Sequence, residues 1–326
     1  MKRSAFFFGL GALALFALVA VAGFPTGSAE ALTLAPPTLG ALSEYGLVGI
    51  GLGGLIVNAA NLTTLTTGFK TSFNNGLGQY AALWNRVATQ VPSMTAEEKY
   101  GWLGKVPNIR EWVGDRVVQN LLAHDYAIRN KKFELTLAVG VDEIEDDQYG
   151  VYTPLFTEMG RSVAAHPDQL VWTLLAAGFA TACYDGQYFF DTDHPVLDAN
   201  GAPASVANTD GGAGTPWFLI DDSRALKPIL YQVRKAYDFV RLDKPDDDNV
   251  FMSDQYIYGV KGRSNVGYGF WQFAWGSKQT LNKDNYKAAR EAMMGMKGDY
   301  NRPLGVMPKL LVVPPALEGE ALEIVN

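Results

Sequence analysis

The feature that most constrains the fold is a strand pattern that changes into a helix pattern. Apolar and polar residues alternate over 132–141, which predicts a strand with one apolar face. A second apolar run, Val117–Tyr126, precedes it, and Asn130-Lys131 between the two runs favours a long hairpin over Arg116–Val141. From Thr153-Pro154 the apolar residues follow helical spacing instead, with proline at the first helical position. The chain is therefore expected to combine strands and helices.

Further elements follow from local signals downstream. Proline disfavours helix at the residue before it, so His166-Pro167 predicts a break between this helix and a second one that runs to about Ala180. Asn282 is a suitable cap for a helix over Lys283–Met294, which Gly295 ends, and a weak helix is expected over Asn61–Phe73. The Gly/Ala/Asn/Pro-rich segment 197–216 predicts a surface loop. Apolar runs predict four more strands: Trp217–Ile220, Ile229–Val233, Val250–Val260 and Lys309–Val313.

Composition excludes some classes of protein. A hydrophobic content of 48% and a charged content of 19% over 326 residues are typical of a folded chain. The formal net charge of -7 disfavours a dedicated nucleic-acid binder, although it permits a protein that encloses DNA without gripping it. Cys183 is the single cysteine, so an internal disulfide and a cysteine zinc cage are both ruled out.

The amino terminus points in another direction. Met1-Lys2-Arg3 precedes an apolar run over Ala5–Phe24, and Ala29-Glu30-Ala31 fits the cleavage pattern of a secretory signal peptide. The run also approaches the roughly 20 apolar residues that span a bilayer. Residues 1–31 therefore support an alternative function as a secreted or envelope-anchored binding protein.

Three groups of residues are candidates for chemistry. Gly49–Gly54 matches a nucleotide-binding glycine pattern, but no Asp or Glu follows until Glu97, so a Gly-rich apolar segment is the simpler interpretation. Cys183 with a histidine (His124, His166 or His194) is a candidate nucleophile and base of a hydrolase, yet a lone cysteine after an apolar helix is more often packed. Asp191, Asp193, His194 and Asp198 could ligate a metal, or could hydrogen-bond the backbone of turns.

Long segments resemble the major head subunit of Mu-like phages, the gpT family. The resemblance is carried by YGWLGKVPNIREWVGDRVV, CYDGQYFFDTDHP, FLIDDSRALKPILYQVRKAYDFV and DDDNVFMSDQYIYGVKGRSNVGYGFWQFAW, and by the tail from Asn285. It covers roughly Leu55–Asn326. It implies an α+β Hong Kong 97-type phage capsid fold with an N-terminal arm, an extended loop, a peripheral domain with a spine helix, and an axial domain. It also implies a structural protein rather than an enzyme, with no catalytic, cofactor or metal site.

The resemblance divides the chain into five segments. Residues 1–54 are expected to be an apolar, signal-like extension of the gene model, with the mature chain starting near Leu55. Residues 55–98 would form the arm, 99–141 the extended-loop region, and 142–215 the peripheral domain with spine helices and a surface loop. Residues 216–326 would add peripheral strands and an axial domain. We expect that domain to be truncated, which would leave Lys309–Val313 as an open sheet edge.

Assembly contacts are the functional residues that this resemblance implies. Two acidic runs, 142–147 and Asp246–Asp248, are either solvated loops or patches that face basic residues of a neighbouring copy. Aromatic and charged residues near the extended loop are the predicted contacts: Trp102, Lys105, Arg110, Trp112, Arg129, Lys131, Lys132, Asp146 and Asp147. The expected partners are other copies in hexamers and pentamers, a portal, decoration or scaffold proteins, and packaged double-stranded DNA bound without sequence specificity. Assembly is expected in the host cytoplasm, and the mature virion form has no expected membrane contact and no cofactor.

Overall fold

The computed structural model describes residues 19–21, 59–103, 126–146 and 150–325, which form an α+β fold. Its helices are α1 Ala59–Gln79, α2 Trp84–Val87, α3 Val141–Glu145, α4 Tyr152–Ala176, α5 Asp248–Ser253, α6 Lys283–Met294 and α7 Glu318–Val325. Its strands are β1 Val19–Val21, β2 Ala88–Pro92, β3 Glu97–Lys99, β4 Ala127–Arg129, β5 Lys131–Gly140, β6 His194–Leu197, β7 Pro203–Val206, β8 Thr209–Gly212, β9 Trp217–Ile220, β10 Ile229–Leu242, β11 Gln255–Tyr268, β12 Ala274–Lys278, β13 Lys297–Gly298, β14 Arg302–Pro303 and β15 Leu310–Val313.

A four-stranded sheet with the order β2-β10-β11-β5 forms one half of the described fold. Strands β10 and β11 are each 14 residues long and pair antiparallel, β5 pairs antiparallel with β11, and β2 runs parallel to β10. Side chains alternate between the faces of a strand. The face that carries Phe239, Tyr258 and Val260 packs against Phe156 and Phe69, on α4 and α1.

Helices α1 and α4 cross with their backbones in close contact, and each helix has a glycine at the crossing. A Cβ built on Gly76 would lie 1.9 Å from the Thr157 carbonyl oxygen, and one on Gly160 would lie 2.0 Å from the Phe73 carbonyl oxygen. Any side chain at these positions would therefore collide with the backbone of the other helix. Phe69 and Phe156 stack beside the crossing, with ring centroids 4.2 Å apart.

A five-stranded sheet with the order β1-β15-β9-β12-β8 forms the other half. Every residue of β9 and of β15 is buried, as expected for strands covered on both faces. The apolar cluster around this sheet includes Val171 and Leu175 from the second half of α4, whereas Phe156 and Met159 from its first half belong to the other cluster. Helix α4 therefore belongs to both cores and joins the two halves.

Several local predictions are confirmed. Strand β9 has the predicted bounds, and helix α6 spans Lys283–Met294 with Gly295 as its C-cap. The Asn282 side chain accepts a hydrogen bond from the Asn285 N–H at 2.8 Å, as a helix cap should. The weak helix predicted over Asn61–Phe73 forms within the longer α1, which packs against α4 of its own chain.

The predicted break at His166-Pro167 is wrong, because α4 continues through Pro167. Proline only disfavours helix at the preceding residue, and here both halves of α4 bury apolar faces in the two cores. His166 is also held from outside the helix. Its Nδ1 lies 2.9 Å from the Tyr237 hydroxyl, and its ring contacts Phe133 with centroids 4.3 Å apart.

The predicted hairpin over Arg116–Val141 can be checked only near its turn, because residues 116–125 lie outside the described residues. The tight turn at Asn130-Lys131 does not form, since β4 pairs with β3 instead of folding back on β5. Strand β5 pairs along its whole length with β11. Pairing between strands distant in sequence depends on tertiary packing, which the alternation of apolar residues does not reveal.

Three further predictions need correction. Segment 197–216 contains strands β7 and β8 as well as loops. The run Val250–Val260 is helical at first, and β11 begins only at Gln255, after Asp254 takes a left-handed backbone conformation with φ 51°. Strand β15 is not an open edge, because β9 pairs on one side of it and β1 on the other.

Candidate assembly surfaces and a buried polar cluster

Cys183, Asp185 and His194 form the one group of potential metal ligands that the described residues bring together, with their ligand atoms within 4.8 Å of one another. The Cys183 thiol donates to Asp185 Oδ1 at 2.9 Å, and His194 Nδ1 lies 2.7 Å from Asp185 Oδ2. Sulfur, nitrogen and oxygen of these types could in principle ligate a divalent transition metal. Here the Asp185 carboxylate is already hydrogen-bonded to both Cys183 and His194.

The environment of Cys183 argues against a nucleophile. Burial, followed by the nearby Asp185 carboxylate, raises the pKa of the thiol far above its ordinary value. The thiol therefore stays protonated, whereas nucleophilic cysteines need a stabilised thiolate. Of the other histidines, His166 is held by Tyr237, and burial lowers its pKa, while His124 lies outside the described residues.

His194 is oriented by fixed hydrogen-bond acceptors on both sides. Asn208 donates its amide to the carbonyls of Phe189 and Trp271 and accepts from the Asp191 N–H, so its Oδ1 must be the atom that faces His194 Nε2, at 3.2 Å. The opposite nitrogen faces the Asp185 carboxylate. Each ring nitrogen therefore lies beside a side-chain oxygen, and the ring stacks on Trp271 with centroids 3.9 Å apart.

This arrangement ties three segments of the chain together. Burial alone would raise the pKa of Asp185, but hydrogen bonds from His194 and Cys183 outweigh it and hold the pKa below its ordinary value. The resulting buried pair joins the loop before β6 to Asn208, and through Asn208 to the backbone of Trp271. These hydrogen bonds hold the three segments together, so the role of the cluster is structural.

Of the two interpretations given for Asp191 and Asp198, the contacts fit hydrogen bonding to turn backbones rather than metal ligation. Asp191 accepts from the N–H groups of Tyr188 and Thr192, and Asp198 accepts from those of Asn200 and Ala202. Both carboxylates thus stabilise their own turns, as such residues commonly do. His194 faces Asp185 instead.

A second polar group that sequence reasoning missed lies under the sheet that contains β10. Gln232 is fully buried, accepts from the Tyr100 hydroxyl at 2.6 Å, and donates to the Ile128 carbonyl and to Asn130 Oδ1. It joins the β3–β4 pair to β10. No sequence signal distinguishes this glutamine from a surface one, because its partners lie more than 100 residues away.

Comparisons with known proteins decide between the alternatives. A family model described as Mu-like prophage major head subunit gpT matches residues 62–326. The chain belongs to this family. The major capsid protein of Escherichia phage Mu is 41% identical over 278 residues, which cover 83% of this chain and 91% of that protein. The Mu-like prophage FluMu major head subunit of Haemophilus influenzae is 45% identical over 269 residues, covering 80% and 87%.

Solved structures agree with this assignment. The chain is similar to one in the procapsid of bacteriophage JBD30, with a TM-score of 0.74 and 47% identity over 82% of this chain and 91% of that one. For the bacteriophage JBD30 capsid the TM-score is 0.63 and the identity 35%, covering 82% and 90%. The gpT-family chain is thus a major capsid protein with a phage capsid fold, and its relatives are structural proteins of the head. The expectation of a structural protein rather than an enzyme is confirmed by these relatives.

The predicted assembly contacts of the gpT-family chain fall into different environments. Trp102 is half-buried and packs against Tyr100 and Phe270, so it contributes to the chain's own core. Three basic residues are exposed on β4 and β5, and one acidic residue is exposed at the end of α3: Arg129, Lys131, Lys132 and Asp146. Lys105, Arg110, Trp112 and Asp147 lie outside the described residues.

The basic residues and the acidic residue that are predicted as assembly contacts lie far apart in one copy. Lys131 begins β5 and Asp146 follows its far end, so they are separated by about 30 Å along a ten-residue strand. Trp271 and Trp275 are buried. Within the described part of the chain, no helix is long and apolar enough to cross a membrane.

Proposed function

We propose that copies of this chain assemble into the icosahedral head shell of a Mu-like phage or prophage, which encloses double-stranded DNA. The observation that carries the proposal is the combination of family membership over 62–326 with a TM-score of 0.74 to a procapsid chain. The work of such a subunit is mechanical. Many modest contacts between copies add up to a stable shell.

The construction of the subunit supports this role. The 25-residue helix α4 joins the two cores, so the two halves of the described fold are coupled through one element. Charged residues lie on an edge strand and at helix ends, where a neighbour can reach them: Arg129, Lys131, Lys132 and Asp146. We assign these residues to contacts between copies, together with Trp102 at its exposed side and with Lys105, Arg110, Trp112 and Asp147.

The proposed partners follow from the same role. Copies would form hexamers and pentamers, with a portal at one vertex and scaffold or decoration proteins as further partners. A related shell, the JBD30 capsid, is decorated with minor capsid protein trimers. The net charge of -7 suits a wall that encloses DNA without binding its sequence. Assembly would take place in the host cytoplasm, without a membrane contact in the mature form.

Expression of the chain followed by sedimentation and electron microscopy tests the proposal. Closed, regular particles are the expected result, alone or with the neighbouring head genes co-expressed. The substitution Cys183→Ala serves as a matched control, because a hydrolase would lose an activity while a shell subunit keeps assembling. Soluble monomers under all conditions, or a turnover abolished by Cys183→Ala, would contradict the proposal.

A further inference from the structure

The outer face of the four-stranded sheet, the face turned away from α4, changes along the strands from two apolar rows, through one row of mixed charge, to a basic row. Its cross-strand rows follow directly from the strand register, since paired residues point to the same side. Two rows at the end near α5 are largely apolar: Leu242, Ile257 and Ala138, then Val240, Gly259 and Thr136. The next two rows are charged: Asp238, Lys261 and Glu134, then Lys235, Arg263 and Lys132. We call these four rows the outer strip.

The outer strip is exposed on its two flanking strands, β10 and β5, and partly buried on β11 between them. Val240 is 54% exposed and Leu242 is 50% exposed, whereas the neighbouring core-facing residues Tyr258 and Val260 are buried. Lys132 and Lys235 are exposed in the basic row. An apolar sheet face rimmed by charge is typical of a surface that another protein covers.

A complementary segment lies beside the apolar end of the outer strip. Asp246–Asp248 lead into α5, where Phe251 is 82% exposed and Met252 is 76% exposed. The Asn249 side chain donates to the carbonyls of Leu242 and Gln255, at 3.0 and 2.6 Å, and so fixes α5 against the strand ends. We call residues 246–252 the acidic–apolar tip.

Within one copy the tip cannot meet the basic row. The tip adjoins the apolar end of the strip, and Lys235 lies seven residues back along β10 from Leu242, about 20 Å away. The order of the two surfaces is nevertheless matched. Along β10 the strip changes from basic at Lys235 to apolar at Leu242. The tip likewise changes from acidic to apolar as the residue number rises.

We propose that the outer strip of one copy receives the acidic–apolar tip of a second copy. Asp246 and Asp248 then face Lys132 and Lys235, while Phe251 and Met252 cover the apolar rows. The contact joins different surfaces of the two copies, so it is head-to-tail and can close into a ring. The charged rows set the register and the apolar rows contribute most of the affinity. This inference rests on the proposed function and names the surfaces that meet.

Charge exchange tests the contact. Lys132→Glu with Lys235→Glu reverses the strip, and Asp246→Lys with Asp248→Lys reverses the tip while leaving Asp247, which accepts from the Lys244 N–H, in place. Each pair of substitutions is expected to lower particle yield at least tenfold. All four together should restore it to within about threefold of the unmodified chain. The control, Lys287→Glu with Lys297→Glu, reverses two exposed lysines outside the strip and should leave the yield unchanged.

A cross-link reports the same contact without requiring closed particles. Ala138→Cys with Met252→Cys should give a ladder of disulfide-linked copies on oxidation, and either cysteine alone should give no ladder. The ladder should vanish with one reversed surface and return when both are reversed. Shells that form normally with a reversed strip, or a yield and ladder that the fourfold exchange does not restore, overturn the proposal and point to another occupant of the tip. A restored ladder without any shell would instead contradict the proposed function alone.

Discussion

The glycines at the α1–α4 crossing give a prediction whose size can be worked out from the structure. In Gly160→Ala, the new Cβ would lie 2.0 Å from the Phe73 carbonyl oxygen, whereas Cβ atoms essentially never come within 3.0 Å of another heavy atom. The two helices would therefore have to separate by at least about 1 Å. Overpacking of this kind costs about 1–3 kcal/mol, and a collision with rigid backbone belongs at the upper end.

Two further effects act on the same variant. Alanine has a higher helix propensity than glycine, which stabilises the folded variant by about 1 kcal/mol. The separation of the helices weakens the contact between Phe69 and Phe156, which destabilises it. We expect a net loss of about 2 kcal/mol, which for a chain of this size lowers the melting temperature by about 3 °C. Gly76→Ala should behave alike, and because the two sites share one crossing, their effects should not add.

The matched control is Gly68→Ala on the same helix α1, because a Cβ at Gly68 meets nothing within 4 Å. It should stabilise the chain by up to about 1 kcal/mol. Urea unfolding of the unassembled subunit, followed by far-ultraviolet circular dichroism, measures all three variants. The reasoning would be refuted if Gly160→Ala were as stable as Gly68→Ala.

Three other outcomes follow from buried polar contacts. Asp185→Asn breaks the pair with His194 and should cost about 3–5 kcal/mol at neutral pH. Because the pKa of Asp185 is lowered in the folded protein, its stabilising contribution is complete above the unfolded pKa and is lost as pH falls through the folded pKa. The melting temperature of the variant should therefore depend less on pH on the acid side of the profile. Cys183→Ala should lose only about 1–2 kcal/mol in the same melts and still assemble, since the thiol only fills space and donates one hydrogen bond. Thr66→Val removes the buried hydrogen bond to Asp243 Oδ2 and should cost about 1–3 kcal/mol in urea unfolding. Thr67→Val, at an exposed position where the hydroxyl donates to the Thr63 carbonyl of the same helix, should stay within about 0.5 kcal/mol.

Helix α6 and strand β9 were predictable because their signals are local. Asn282, Gly295 and a short apolar run each act on residues within one or two turns. The break at Pro167 was predicted wrongly for the converse reason. A local preference at one residue was outweighed by burial of Phe156 and Val171 in two different cores.

The surfaces were harder to predict than the elements. The sequence reveals the acidic run Asp246–Asp248, but the apolar run Val250–Val260 predicts a strand and so hides the exposure of Phe251 and Met252 on α5. The graded rows of the outer strip depend on the register of β10, β11 and β5, which includes two irregularities between Val233 and Asp238. A shift of one residue would exchange the two faces, so the pattern becomes visible only once the pairing is known.

The distances in sequence between paired elements affect when this subunit can fold. Leu311 pairs with Leu219, Ala88 lies beside Ile229 in a parallel pair, and Thr66 bonds to Asp243, 177 residues away. Contacts of such separation form slowly, because a long loop must close before they contribute. Strand β15 is also made after the other four strands of its sheet. A nascent chain on the ribosome therefore cannot complete the five-stranded sheet until Val313 has left the ribosome.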